Sequence, residues 1–282
     1  MTDLDRPQFH EIDAWGLTHP GKVRTENQDH FFVGALARGI AVKATSVTES
    51  DQQVLLPERL ASLGMVADGV GSTEGGAEAA RLAVRELLNA VSLQFWAADV
   101  SEDDDPEVFV RLLNDAALSC HESLLERSEQ QGGGMRFATT LTLFLGLWPH
   151  AYLLQVGDSR CYIYKDGTLT QISQDQTLAE ELVANGTLTR SAAEQSRWAN
   201  VLSSAIGGSE AAPVVTRVVR DWGTVVLLCS DGLTKHVPDE QIERRMASLT
   251  SARETAEALL QDALDGGGTD NISIVIGRTV KR

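Results

Sequence analysis

Apolar runs of strand length meet an aspartate at a turn three times in this chain, and that recurrence constrains it more than any other feature. The segments are Leu63-Gly-Met-Val-Ala-Asp68-Gly69, Val225-Val-Leu-Leu-Cys-Ser-Asp231-Gly232 and Gly268-Thr-Asp270-Asn-Ile-Ser-Ile-Val-Ile276. A carboxylate at the tip of a buried strand is held rigidly, and a neighbouring glycine lets a ligand approach the backbone. Several such tips at one edge of a core form an oxygen-rich, negative pocket that suits hard divalent cations such as Mg²⁺ or Mn²⁺.

The remaining pattern places these tips. Strand signals fill 12–18, 30–33, 40–45 and 64–67, with 46–57 read as a loop or hairpin insertion. Helical periodicity follows over 77–96, with Ala80, Val84, Leu87, Leu88 and Val91 on one stripe. It continues over 106–130 with Val110, Leu113, Ala117 and Leu124. Four strands then come in close succession at 139–147, 151–156, 160–164 and 169–172, separated by turn residues that read as an antiparallel meander. A polar segment, 176–212, leads to strands at 214–219 and 224–229, helices at 239–248 and 252–264, and a last strand at 272–277. Strands in blocks and helices in blocks define an α+β chain with helices packed on antiparallel sheets. The expected organisation is one domain over 11–278, an N-terminal extension over 1–10, and a substrate-facing segment over 176–212.

Composition removes several functional classes. The net charge is −16, which disfavours nucleic acid and anionic membranes as partners. The acidic run at 101–107 reads as a solvated loop running into a helix start. No run approaches the roughly 20 apolar residues of a membrane helix, and the N-terminus has no secretory pattern. Cys120, Cys161 and Cys229 are odd in number and widely spaced, as expected of reduced thiols in a cytoplasmic protein.

Taken singly, each candidate site residue has a plain alternative. Asp-Gly is a common hairpin turn, and Lys165-Asp166-Gly167 between two short strands reads as that and nothing more. Asp68 and Asp231 differ because helical or long irregular segments follow them. Arg24, five residues before Asp29, offers a rigid fork for phosphate oxygens, against a surface loop as the alternative. Asp158, in Val156-Gly-Asp-Ser-Arg160, is either a ligand or a turn residue. Gly69-Val-Gly71 completes neither a P-loop, which needs a lysine, nor a dinucleotide fingerprint, because Glu74 fills the third glycine position.

As an ordered set, the motifs resemble a known family. Arg24-x-x-Asn-Gln-Asp29, Val66-Ala-Asp-Gly69, Ala138-Thr-Thr140, Val156-Gly-Asp-Ser-Arg160, Cys229-Ser-Asp-Gly-Leu233 and Gly268-Thr-Asp-Asn271 follow the order of the metal-dependent serine/threonine protein phosphatases of type 2C, the bacterial single-domain branch above all. The resemblance implies a sandwich of two antiparallel sheets flanked by helices (α-β-β-α) with a metal site at one end. It implies hydrolysis of phosphoserine and phosphothreonine by attack of a water bridging two divalent ions, Mg²⁺ or Mn²⁺, with a third, weaker ion. Asp68 would bridge the two ions and the Gly69 carbonyl would complete one. Asp231 and Asp270 would bind the other, and Asp29 would act through bound water. Asp158 with Asp231 would match the third ion, and Arg24 would hold the phosphate. The implied partners are proteins phosphorylated by a cognate kinase, met by a monomer.

The chain departs from the family pattern in places. Val70 stands where animal relatives carry a histidine proposed to protonate the leaving group, which leaves water as the acid. Packing roles are the default for His30 and His236. Asp175-Gln-Thr177 replaces Asp-His-Ser, and Ala138 replaces a glycine. The alternatives are a regulatory pseudophosphatase, which would have lost a metal aspartate, and a hydrolase of small phosphate esters.

Overall fold

In the computed structural model, the described residues are 7, 11–38, 58–71, 74–97, 106–130 and 137–281. The expected strand at 40–45 and the insertion at 46–57 lie outside them, as does most of the acidic run and nearly all of the N-terminal extension. Strand β1 is Ile12–His19, β2 His30–Arg38, β3 Glu58–Ala67, β4 Gly69–Val70, β5 Ala138–Thr139 and β6 Leu141–Leu147. Strand β7 is His150–Val156, β8 Arg160–Lys165, β9 Thr168–Gln171, β10 Val214–Val219, β11 Val225–Cys229 and β12 Ile272–Thr279. Helix α1 is Glu74–Ala97, α2 Pro106–Gln130, α3 Leu178–Ala184 and α4 Arg190–Glu194. Helix α5 is Asp231–Thr234, α6 Asp239–Ala247 and α7 Ala252–Asp265.

Two five-stranded antiparallel sheets face each other, ordered β1-β12-β11-β8-β9 and β10-β7-β6-β3-β2. Val66, Phe144, Leu153, Cys161, Val226, Leu228 and Val275 fill the space between them. On the outer face of the second sheet, Ala80, Ala83 and Leu87 of α1 and Phe109, Leu113 and Leu124 of α2 pack on Met65, Leu143, Leu145 and Leu154. On the outer face of the first sheet, Ile242 and Met246 of α6 and Ala256, Leu259 and Ala263 of α7 cover Tyr162, Leu227, Ile274 and Ile276. This is the expected α-β-β-α sandwich. The layering explains the sequence: central strands β6 and β11 are buried at every position, so β11 is apolar throughout and β6 carries one polar residue, Thr142, whose hydroxyl donates to the Ser159 carbonyl at 3.0 Å. Edge strand β10 is exposed or half-buried throughout, and its Thr216 and Arg217 break the apolar run.

The stripes on α1 and α2 face the core as their spacing predicts, with Val84, Leu88 and Val110 at its margin. The Lys165–Thr168 hairpin closes through Asp166 and Gly167, both at positive φ. Strands β2 and β3 run longer than the apolar signal alone indicates.

The expected four-strand meander is corrected. Strands β6 and β7 pair with each other, as do β8 and β9, but the two pairs belong to different sheets, with β7 beside β10 and β8 beside β11. The link 157–159 crosses between layers instead of returning the chain alongside itself. Gly157 makes this possible with a φ of +101°, a conformation that costs other residues energy. Locally, a Gly-Asp-Ser link looks the same whether the chain doubles back or changes sheet, and which of these occurs depends on partners distant in sequence. The crossover leaves Asp158 at the mouth of the sandwich.

A Cβ added at Gly157 would also lie 2.7 Å from Thr140 Cγ2. Gly157→Ala is therefore expected to cost roughly 2–4 kcal/mol, from the forbidden φ and the overpacking together. Urea denaturation checks this, and an unchanged midpoint would contradict it.

Candidate functional site

Every aspartate singled out from the sequence comes to the same end of the sandwich. His19 pairs with Ile272, Cys229 with Ile274 and Arg160, and Ala67 with His30, so the chain entering or leaving each pair meets there. Asp29 precedes β2, Asp68 joins β3 to β4, Asp158 lies in the crossover, Asp231 opens α5 after β11, and Asp270 precedes β12.

The backbone of Asp68 is clamped by the Thr-Thr pair. The Asp68 N–H donates to Thr140 Oγ1 at 3.0 Å, while the Thr140 N–H and the Thr139 hydroxyl both donate to its carbonyl at 2.8 Å. Thr140 Oγ1 also lies 2.8 Å from Ser159 Oγ, which ties Asp68 to the crossover. Gly69 is needed for space: a Cβ there would lie 2.4 Å from the Gly76 carbonyl carbon. Asn271, beside Asp270, sutures the Arg24–Asp29 loop to the start of β12. Its Oδ1 accepts the Gln28 N–H at 2.9 Å, and its Nδ2 donates to the carbonyls of Pro20 and Glu26 at 3.0 and 2.8 Å. Asp29 is 2% exposed and receives the Ser230 hydroxyl at 2.7 Å on Oδ2.

The altered motif at 175–177 supports this end of the molecule. Arg160 forks onto both oxygens of Asp175 at 2.7–3.0 Å, the Gln176 side chain accepts the Gly157 N–H, and Thr177 caps α3. A cavity of about 240 Å³ lies alongside, walled by Asp158, Arg160, Asp175, Thr177, Asp231 and Lys235.

Crowded carboxylates pay for their proximity in proton affinity. Burial lifts Asp68 well above the usual carboxylate range, and the charges of Asp29, Asp231, Asp158 and Asp270 add to the shift. Burial likewise raises Asp29 to about 6, and burial with the Asp231 charge raises Asp158 to about 7. Asp231 is raised by burial, although Lys235 opposes the shift. Asp270 is the exception: burial opposes its charge, but Arg24 and Lys235 outweigh burial and hold it below its ordinary value.

Those two cations also shape the site. Arg24, its side chain 48% exposed, places Nε 2.8 Å from Asp270 Oδ1 and Nη2 3.0 Å from Oδ2. It therefore stands beside the aspartates, held by one of them. Lys235 Nζ lies 2.6 Å from Asp231 Oδ2 and 2.8 Å from Asp270 Oδ2. Lys235 is not among the residues that the sequence motifs single out. The available signal was its spacing, four residues after Asp231 where a short helix brings both side chains to one face.

Among the described residues, no three His, Cys, Asp or Glu side chains already close around a common point. The donors nevertheless fit hard divalent ions: all are oxygens, they repel one another, and Asp29 Oδ1 and Asp231 Oδ1 are buried without a hydrogen-bond partner. Other chemistries fit less well. The three cysteines are buried, and burial pushes Cys161 well above the ordinary thiol value and Cys120 and Cys229 up to about 12, so none is a thiolate nucleophile. His236 Nε2 accepts the Thr269 N–H at 3.0 Å, tying the end of α5 to the loop before β12.

Two helix-flanked sheets gather acidic loops at one end, and comparison with known proteins specifies the family. The chain belongs to the protein phosphatase 2C family, whose model matches residues 52–266. The serine/threonine protein phosphatase PstP of Mycobacterium tuberculosis is 30% identical over 261 residues, a match covering 92% of this chain and 43% of that relative. This chain thus spans less than half of PstP. The serine/threonine phosphatase Stp of Listeria welshimeri is 30% identical over 223 residues, covering 75% of this chain and 82% of the relative. The crystal structure of the PstP catalytic domain in complex with two manganese ions superposes with a TM-score of 0.73 at 27% identity, covering 96% of this chain and 99% of that one.

Asn271→Leu removes the suture between the Arg24–Asp29 loop and β12, taking away partners from one N–H and two carbonyls. A loss of about 2–4 kcal/mol is expected. Chemical denaturation measures it, and a loss below roughly 0.5 kcal/mol would show that the loop is held by other means.

Proposed function

We propose that this chain is a metal-dependent phosphatase that removes phosphate from phosphoserine and phosphothreonine in proteins. One observation carries the reading: five aspartates converge at the sandwich mouth with two buried, unpartnered carboxylate oxygens, and Arg24 stands directly beside them. Family membership and the likeness to a relative that holds two manganese ions support it. In this reading one domain over 11–278 carries the activity, with 176–212 facing the substrate. Its substrates are products of a serine/threonine kinase, met by a cytoplasmic monomer. Buried free thiols suit that compartment, and no helix among the described residues is long and apolar enough to cross a membrane.

The residues divide the work by position. Asp68, with the Gly69 carbonyl, would hold both of two Mg²⁺ or Mn²⁺ ions; Asp231 and Asp270 would hold one of them, and Asp29 would act through ordered water. Asp158 and Asp231 would serve a third, weaker ion. When bound, such ions acidify water and neutralise phosphoryl oxygens during in-line displacement. The chain's own tasks are orientation and charge. The Thr139–Thr140 clamp fixes Asp68, and Asn271 fixes the loop that carries Arg24 and Asp29. Arg24 supplies the positive charge that lets a phosphate dianion enter a field of carboxylates. Exposed as it is, it can turn its fork from Asp270 towards the phosphate. Val70 offers no proton, so the leaving alkoxide is protonated by water.

Mn²⁺-dependent hydrolysis of p-nitrophenyl phosphate and of a phosphothreonine peptide is expected, with EDTA abolishing both. Asp231→Asn should lower turnover by roughly a hundredfold or more while circular dichroism stays unchanged; near-full activity in that variant would overturn the metal assignment. Turnover of the small ester without the peptide would favour a small-ester hydrolase, and Mn²⁺ binding with no turnover a regulatory role. Arg24→Lys keeps the charge but loses the fork, so KM for the phosphopeptide should rise about 10- to 100-fold with a smaller change in kcat. An unchanged KM would remove Arg24 from phosphate binding.

A further inference from the structure

Lys235 has no part in the roles above, yet it is placed between two of the proposed metal carboxylates. Its ammonium lies 2.6 Å from Asp231 Oδ2 and 2.8 Å from Asp270 Oδ2. Asp270 also receives Arg24 on both oxygens, so the lysine is the cation that links the two acids, while Asp231 Oδ1 stays buried and unpartnered. A divalent ion shared by this pair needs to lie about 2.0–2.6 Å from one oxygen of each acid, and Oδ2 of both is held by the ammonium. An ammonium and an ion of that size cannot both sit between them.

Resting on the metal reading of Asp231 and Asp270, we infer that Lys235 is a built-in counter-cation of this pair. It draws the two carboxylates together in the metal-free protein and withdraws when a divalent ion binds, so it weakens ion binding there. Lysine suits this task because its charge is a compact point on a flexible four-carbon stem. Its side chain is 29% exposed, so the head has a route to water. An ammonium serving substrate phosphate alone would have no need to bridge two acids.

Mn²⁺ titration of EDTA-stripped protein, read by the electron paramagnetic resonance of free Mn²⁺, together with thermal melts with and without Mn²⁺, tests the inference. Lys235→Met should bind Mn²⁺ about tenfold or more tightly than wild type. It should melt below wild type when metal-free and gain more from Mn²⁺. Lys235→Gln should behave alike should the Met variant fold poorly. Lys165→Met, which removes the same charge at the far end of β8, should leave the affinity unchanged. Mn²⁺ affinity in the Lys235 variants equal to or weaker than wild type would overturn the inference, whatever happens to their stability. Wild-type binding that Asp231→Asn leaves intact would instead overturn the metal reading on which it rests.

Discussion

Like charges gathered in a partly buried space must be compensated, and much of this structure answers that requirement. Asp29, Asp68, Asp158, Asp231 and Asp270 raise one another's proton affinity or are held down by cations, and no single loop could keep them together. The scaffold holds them mostly by the backbone, and Asp29 by one carboxylate oxygen. Thr139 and Thr140 hold Asp68 by its own N–H and carbonyl, Ser230 holds Asp29, and Asn271 binds the loop of Arg24 and Asp29 to β12. Each anchoring side chain is buried, with Asn271 the most exposed at 5%. The repulsion is therefore borne by rigid strands, and Asp29 Oδ1 and Asp231 Oδ1 are left buried without a partner.

Charge balance explains why two cations stand among the acids. Arg24 is half exposed and rests on Asp270, which in its proposed role it exchanges for a phosphate. Lys235 is bound to two carboxylates at once and is more enclosed. An arginine fork and a lysine point charge are not interchangeable, and each stands where its geometry has a use. The Arg160–Asp175 pair performs a third task, joining the start of β8 to the segment that walls the cavity beside the site.

The sequence displayed unevenly what the fold contains. Central strands such as β11 were legible because burial on both faces leaves an unbroken apolar signature, and α2 because its stripe repeats at helical spacing. The family motifs made the candidate site legible, since their order tied aspartates far apart in sequence to one place. The meander was misread at 157–159, where Gly-Asp-Ser turns the chain into the other sheet. Strand propensity carries no information about which partner a strand will choose. Lys235 was passed over for a related reason: an i, i+4 pair is visible in sequence, but the second acid that makes it a bridge, Asp270, comes 35 residues later.

By itself, the sequence determined the alternation of strand and helix blocks, the rigid strand-tip aspartates and the family to which the chain belongs. These are local or ordered signals, set by side-chain hydrophobicity, spacing and turn chemistry. Tertiary structure decided which sheet each strand joins, that five acids share one mouth, and that Arg24 and Lys235 rest on Asp270. The reason is physical: hydrogen bonds and ion pairs need contact within a few ångströms, and folding alone sets which residues come that close.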